Sequence, residues 1–93
     1  MIIGILQLEL RISESHSLKE KRMVLKGLKD RLHEKFNVSV SEIGHQDAWQ
    51  RALMGIAAIG TDKVYVNGIL SRVMDWVSAH RAVELVSSRM EML

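Results

Sequence analysis

The chain has 93 residues, 47% of them hydrophobic and 26% charged, with a formal net charge of +2. That balance describes one small globular domain over residues 1–93, with no disordered or low-complexity stretch, and the absence of cysteine excludes disulfides and thiolate-held metals. No run approaches membrane-spanning length, and Met1-Ile-Ile-Gly-Ile-Leu6 lacks a basic leader, so neither a membrane contact nor a secretory signal is expected and the cytoplasm is the expected compartment.

Residues 2–12 alternate, with Gly4, Leu6, Leu8, Leu10 and Ile12 on one face and Gln7, Glu9 and Arg11 on the other. This is the pattern of a half-buried strand, and Ile3 and Ile5 make the start of its second face apolar too. Ser13 to Ser17 is the loop that follows. From Leu18 the period becomes helical: Leu18, Leu25, Leu28, Leu32 and Phe36 share an arc of roughly 80° at 100° per residue. Lys19, Arg22, Lys26, Lys29 and His33 fill the neighbouring arc. Lys21 projects into the apolar stripe near the helix start, where its stem can lie on the core while the amine emerges at the rim.

Phe36 to Ile43 alternates again, Phe36, Val38 and Val40 inward and Ser39 and Ser41 outward. Gly44-His-Gln-Asp47 is turn chemistry. Trp49 to Ile59 is apolar on both faces, which marks a central strand covered on each side. Trp49 itself is expected to wedge, buried, against the helix entry. Gly60-Thr61-Asp62 offers a break and a cap. A second helix carries Val66, Ile69, Leu70, Val73 and Val77 within roughly 100° of arc, with Tyr65 and Trp76 as packing residues at its edge. It ends at His80-Arg81, and Ala82 to Leu93 reads as a last strand whose register is weakly marked.

The order β-α-β-β-α-β, with right-handed crossovers, predicts a ferredoxin-like plait: a four-stranded antiparallel sheet of order 4-1-3-2 with both helices on one face. That topology gathers the first helix's start, the hairpin over 44–51 and His80-Arg81 at one end. Residues 16–36 hold seven Lys/Arg against three acids, a local +4, while the remainder carries −2. Ser17 and Glu20 form a capping box, and the cations just inside it face the positive end of the helix dipole. Free helix N–H groups beside Lys19, Lys21 and Arg22 suit an anion such as phosphate. The candidate anion- or RNA-binding set is Ser17, Lys19, Lys21, Arg22, Lys26, Lys29 and Arg51.

His16, His45 and His80 converge on the same end, but no metal-ligand spacing accompanies them, and neither a metal nor a cofactor is expected. Base stacking on the sheet, as in RNA-recognition domains of this topology, needs aromatics that the two central strands lack. Their aliphatic residues on the helix-free face suggest self-association, a homodimer through that face. Phosphatases resembling acylphosphatase need a glycine-rich loop with an arginine after the first strand. Ser13-Glu-Ser-His-Ser17 has neither, and no nucleophile–base or paired-carboxylate arrangement is legible, so no enzymatic activity is expected.

Three segments together, His16-Ser-Leu-Lys-Glu-Lys-Arg22, Arg31-Leu-His-Glu-Lys-Phe-Asn-Val-Ser-Val-Ser-Glu42 and Asp47-Ala-Trp-Gln-Arg-Ala52, resemble the YlxP-like family of small bacterial proteins. The resemblance implies a ferredoxin-like plait, with Ser17, Lys19, Lys21, Arg22, Asp47, Trp49, Gln50 and Arg51 on the family's motif positions. Such proteins are often encoded among genes for transcription termination, translation initiation and ribosome maturation, which implies an RNA- or ribosome-linked role. Two functions follow. One is a non-catalytic module that binds structured RNA or the small ribosomal subunit through phosphate contacts. The other is a dimeric protein-interaction module holding an acidic protein partner.

Overall fold

A computed structural model describes residues 1–93. The elements are β1 (Ile2–Arg11), α1 (Leu18–Lys35), β2 (Ser39–Gly44), β3 (Arg51–Gly60), α2 (Lys63–Ser78) and β4 (Glu84–Met92). They form a four-stranded antiparallel sheet ordered β2-β3-β1-β4, the ferredoxin-like plait expected from the element order.

The period-2 pattern of β1 survives intact in the packing. Leu6, Leu8 and Leu10 are buried beneath the helices and stand opposite Ile56, Met54 and Ala52 of β3. The alternate residues Ile5, Gln7 and Glu9 pair with Ala57, Gly55 and Leu53 on the helix-free face. Because α2 lies directly on β1, Gly4 is required for its size: a Cβ there would stand 2.7 Å from Val66 and 2.8 Å from Leu70. The core is completed by Leu25, Leu28 and Leu32 of α1 and by Val66, Ile69, Leu70, Val73 and Val77 of α2.

Several boundaries shift from expectation for local reasons. The N–H of Phe36 still bonds to Leu32 O, so Phe36 caps α1, and β2 begins only at Ser39. Asp62 caps α2 by accepting from the N–H of Tyr65 at 3.2 Å. β4 carries a bulge opposite Glu9/Leu10 and β2 one between Glu42 and Gly44. Bulges reset which face a residue takes, and the one in β4, at Val86, breaks the alternation that would mark the last strand's register. No helix is long and apolar enough to cross a membrane.

Candidate nucleic-acid interface

The capping box forms as its residues dictate. Ser17 Oγ accepts from the N–H of Glu20 at 3.1 Å, and Glu20 reaches back to accept from the N–H of His16 at 2.9 Å. The anion at the start of α1 is therefore supplied by the chain itself, and Ser17 is engaged as a cap.

Lys21 differs from expectation. Its side chain is 1% exposed, and its amine does not emerge at the rim. Positions 21, 25, 28 and 32 form one continuous buried stripe, so Lys21 occupies the place of a core leucine in the first turns of α1. Its Nζ donates to His45 O at 2.8 Å, Arg51 O at 3.1 Å and Gln46 O at 3.4 Å. Glu42 Oε2 stands 2.9 Å away as a close ion pair outside good hydrogen-bond angles. Removing an ammonium from water costs several kcal/mol, and here that penalty is offset by a carboxylate and three carbonyls. An amine so occupied has no donor left for an external phosphate. Lys21 leaves the candidate set and becomes the clamp of the β2–β3 hairpin.

What the clamp holds is the hairpin tip, Gly44 to Arg51. His45 adopts φ 58°, in the left-handed region that glycine, asparagine and histidine tolerate best, and its carbonyl also accepts from the N–H of Ala48 at 3.0 Å. Gln50 ties the tip to the loop after β1, with Nε2 donating to Ser15 O at 3.0 Å and Ser13 O at 3.2 Å, while its own carbonyl accepts from the N–H of Ile12 at 2.8 Å. Trp49 projects outward from this braced tip and is 57% exposed. The expectation of a buried structural wedge is corrected: backbone contacts of Lys21 and Gln50 do the bracing, and the indole is free of it.

Arg11, His16, Ala48, Trp49, Gln50 and Arg51 line an open, shallow cleft of about 550 Å³ beside the indole. Arg11 and Arg51 are directly opposed residues of β1 and β3. Like charges in that relation repel, and each guanidinium is held by its own acid. Arg11 pairs with Glu84 at 3.0 Å, and Arg51 with Glu9, which also has His45 Nε2 at 3.4 Å. The hydrogen bond from Arg51 holds the Glu9 carboxyl below the usual carboxylate range, outweighing the opposing effect of burial, and the charges of Arg51 and His45 add to it.

Residues 3–90 match the family described as "Protein of unknown function (DUF503)". The chain belongs to this family. It is 43% identical over 90 residues to the uncharacterized protein YlxP of Bacillus subtilis (strain 168), an alignment covering 97% of this chain and 98% of that one. Membership in DUF503 agrees with the resemblance carried by His16–Arg22, Arg31–Glu42 and Asp47–Ala52.

The remaining candidate residues of this DUF503 chain divide into paired and unpaired cations. Lys26 bonds Asp30 one turn on at 2.9 Å, and that bond, with the charge of Lys26, lowers the Asp30 carboxyl's pKa. Lys19, Arg22 and Lys29 make no ion pair; the first two are exposed and Lys29 is half-buried. Arg31, on the opposite side of the buried stripe, meets His80 Nε2 at 3.0 Å beyond the end of α2, so the arc of Lys19, Arg22 and Lys29 is turned away from α2. His80 has Arg31 and, at a ring-centroid distance of 5.2 Å, Trp76 as its neighbours. His16 and His45 belong to the hairpin end. Neither Glu42 as the partner of Lys21 nor Arg11 as a residue of this cleft is marked in the sequence. Only the pairing register exposes Arg11, by setting it opposite Arg51.

Proposed function

We propose that the protein is a non-catalytic RNA- or ribosome-associated binding module. The observation that carries this reading is the arc of Lys19, Arg22 and Lys29: three cations on one side of α1 that make no ion pair, with only Asp30, already bonded to Lys26, acting on Lys29, and turned away from α2. Side chains held in that state are ready to displace the counterions of a phosphate backbone, and such contacts fix position and shape without reading bases. Lys26 adds to the arc at reduced strength, since Asp30 already pairs with it. The gene neighbourhood implied by the family resemblance supports the same class of partner.

The test is binding to small-subunit ribosomal RNA across about 50 to 200 mM salt, with the triple variant Lys19→Gln/Arg22→Gln/Lys29→Gln beside the parent. The expected result is steep weakening with salt. In the variant the logarithmic slope falls by about two to three, because each lost phosphate contact removes about 0.7 to 0.9. Equal slopes for parent and variant overturn the reading.

A second reading rests on the helix-free sheet face. Ile43 and Ile59 are 48% and 53% exposed there, and Ile5, Gln7, Ile43, Gly55 and Ala57 border a shallow trough of about 320 Å³. An apolar surface of that kind favours a homodimer that closes face to face, and with it an interaction module whose basic helices hold an acidic protein.

A further inference from the structure

We infer that the open cleft beside Trp49 takes one unstacked base of single-stranded RNA, so that the chain combines a phosphate-contacting helix with a separate base subsite. This rests on the reading that the protein binds RNA, and it adds which part of the RNA goes where. Three observations lead to it.

The first is the exposure of the indole itself. Trp49 is the largest side chain of a tip that the fold braces with a buried ammonium on three carbonyls and with both ends of the Gln50 residue, yet the indole itself makes no hydrogen bond there and is 57% exposed. A loop held so firmly presents its outward side chain in a defined place, which lowers the ordering cost of a contact made there.

The second is the pair of opposed arginines. Arg11 and Arg51 face each other across β1 and β3, a repulsive arrangement that the fold maintains by spending Glu84 and Glu9 on it. Both remain more than half exposed, at 55% and 56%, and both border the cleft. Guanidinium planes and aromatic rings are the two surfaces on which single-stranded RNA bases stack.

The third is charge. Counting Glu9 and Glu84, the two arginines are neutralised where they stand. The cleft is therefore not a strong phosphate site. A flat, uncharged group with hydrogen-bonding edges suits it better than an anion, and a nucleobase is such a group. The hollow of about 550 Å³ is open on one side, so a base can lie against the indole and the arginines without entering an enclosed pocket. His16 borders the cleft and immediately precedes the cap of α1, so an RNA strand leaving the cleft meets the basic arc at its first turn.

The test uses the whole protein and two probes of equal length, a single-stranded hexa-adenylate and its abasic ribose–phosphate counterpart. With Trp76→Phe as background, the emission of Trp49 reports the cleft. The hexa-adenylate is expected to quench it saturably and the abasic chain is not. Trp49→Ala should weaken hexa-adenylate binding by about tenfold or more, and Trp49→Phe should retain most of it, since stacking needs only a ring. The indole is exposed, so both variants keep the fold. If the two probes bind alike, lose affinity together with rising salt and ignore Trp49→Ala, the base subsite is overturned while the basic-helix reading stands. If neither probe nor ribosomal RNA binds, both fall. If the indole responds to protein concentration and not to the hexa-adenylate, the cleft belongs to a protein contact, and the proposal is overturned.

Discussion

Lys21 shows how one residue can read correctly in position and wrongly in role. Its spacing from Leu25, Leu28 and Leu32 places it in the apolar stripe, and that much is legible in the sequence. Its acceptors are not, because they come from residues 24 to 30 positions further along and from Glu42. Replacing Lys21 by alanine leaves Glu42 and the hairpin carbonyls without their counter-charge. The expected loss is about 3 kcal/mol or more in urea unfolding, whereas Arg22→Gln, one residue away and exposed, should stay within about 0.5 kcal/mol. His80 supplies a second measurement at this scale. Burial, and then the charge of Arg31, lower its pKa below the usual histidine value. The Arg31 guanidinium donates to Nε2 and the N–H of Ala82 points to Nδ1 at 3.3 Å, so a protonated ring would face donors on both sides. The unfolded chain then binds this proton more readily than the folded one. The stabilisation is fully present above about pH 6.5 and is lost as pH falls below it toward the folded value. Urea midpoints at about pH 7.5 and 5.5 should differ in the parent, and His80→Gln should reduce that difference. An unchanged difference in the variant removes His80 from the account.

At the scale of elements, legibility follows periodicity. β1, both helices and the buried face of β3 repeat with periods of 2 or 3.6 over ten residues or more, and their packing faces follow from the sequence. The capping box is equally local and equally legible. The hairpin tip has no period, so nothing in residues 44–50 discloses that Trp49 points outward or that Gln50 reaches across to Ser13 and Ser15. The bulges in β2 and β4 are hidden for the same reason. Where two elements approach most closely, a single methyl group measures the fit. Gly4→Ala would put a Cβ within 2.7 Å of Val66, against side chains that the core already confines. The expected destabilisation is about 1–3 kcal/mol. A neutral result would mean that α2 moves away from β1 without penalty.

For the molecule as a whole, the plait and its strand order were readable from element order and handedness alone. The candidate surface is readable in the sequence only as a basic end, and which cations there are spent on structure follows from the tertiary contacts. Lys21 is consumed by the hairpin and Lys26 by Asp30, while Lys19, Arg22 and Lys29 remain unpaired. The helix-free face is the other whole-molecule question. If two chains close over it, Ile5→Asp introduces a charge into the middle of the contact, and light scattering should show the parent as a dimer and the variant as a monomer. A monomeric parent at high concentration removes the dimer.

The clamp on the hairpin also orders events in time. Strands β2 and β3 are neighbours in the chain and can begin to pair with only a short loop to close. The tip between them cannot settle in the same way, because the ammonium that gathers the carbonyls of His45, Gln46 and Arg51 arrives from α1, more than twenty residues earlier. The last turn of the hairpin must wait until the helix has docked on the sheet. Substitutions at Lys21 should therefore speed unfolding and leave the refolding rate nearly unchanged, the signature of contacts made after the transition state. The emission of Trp49 should reach its native value only when that late step is complete.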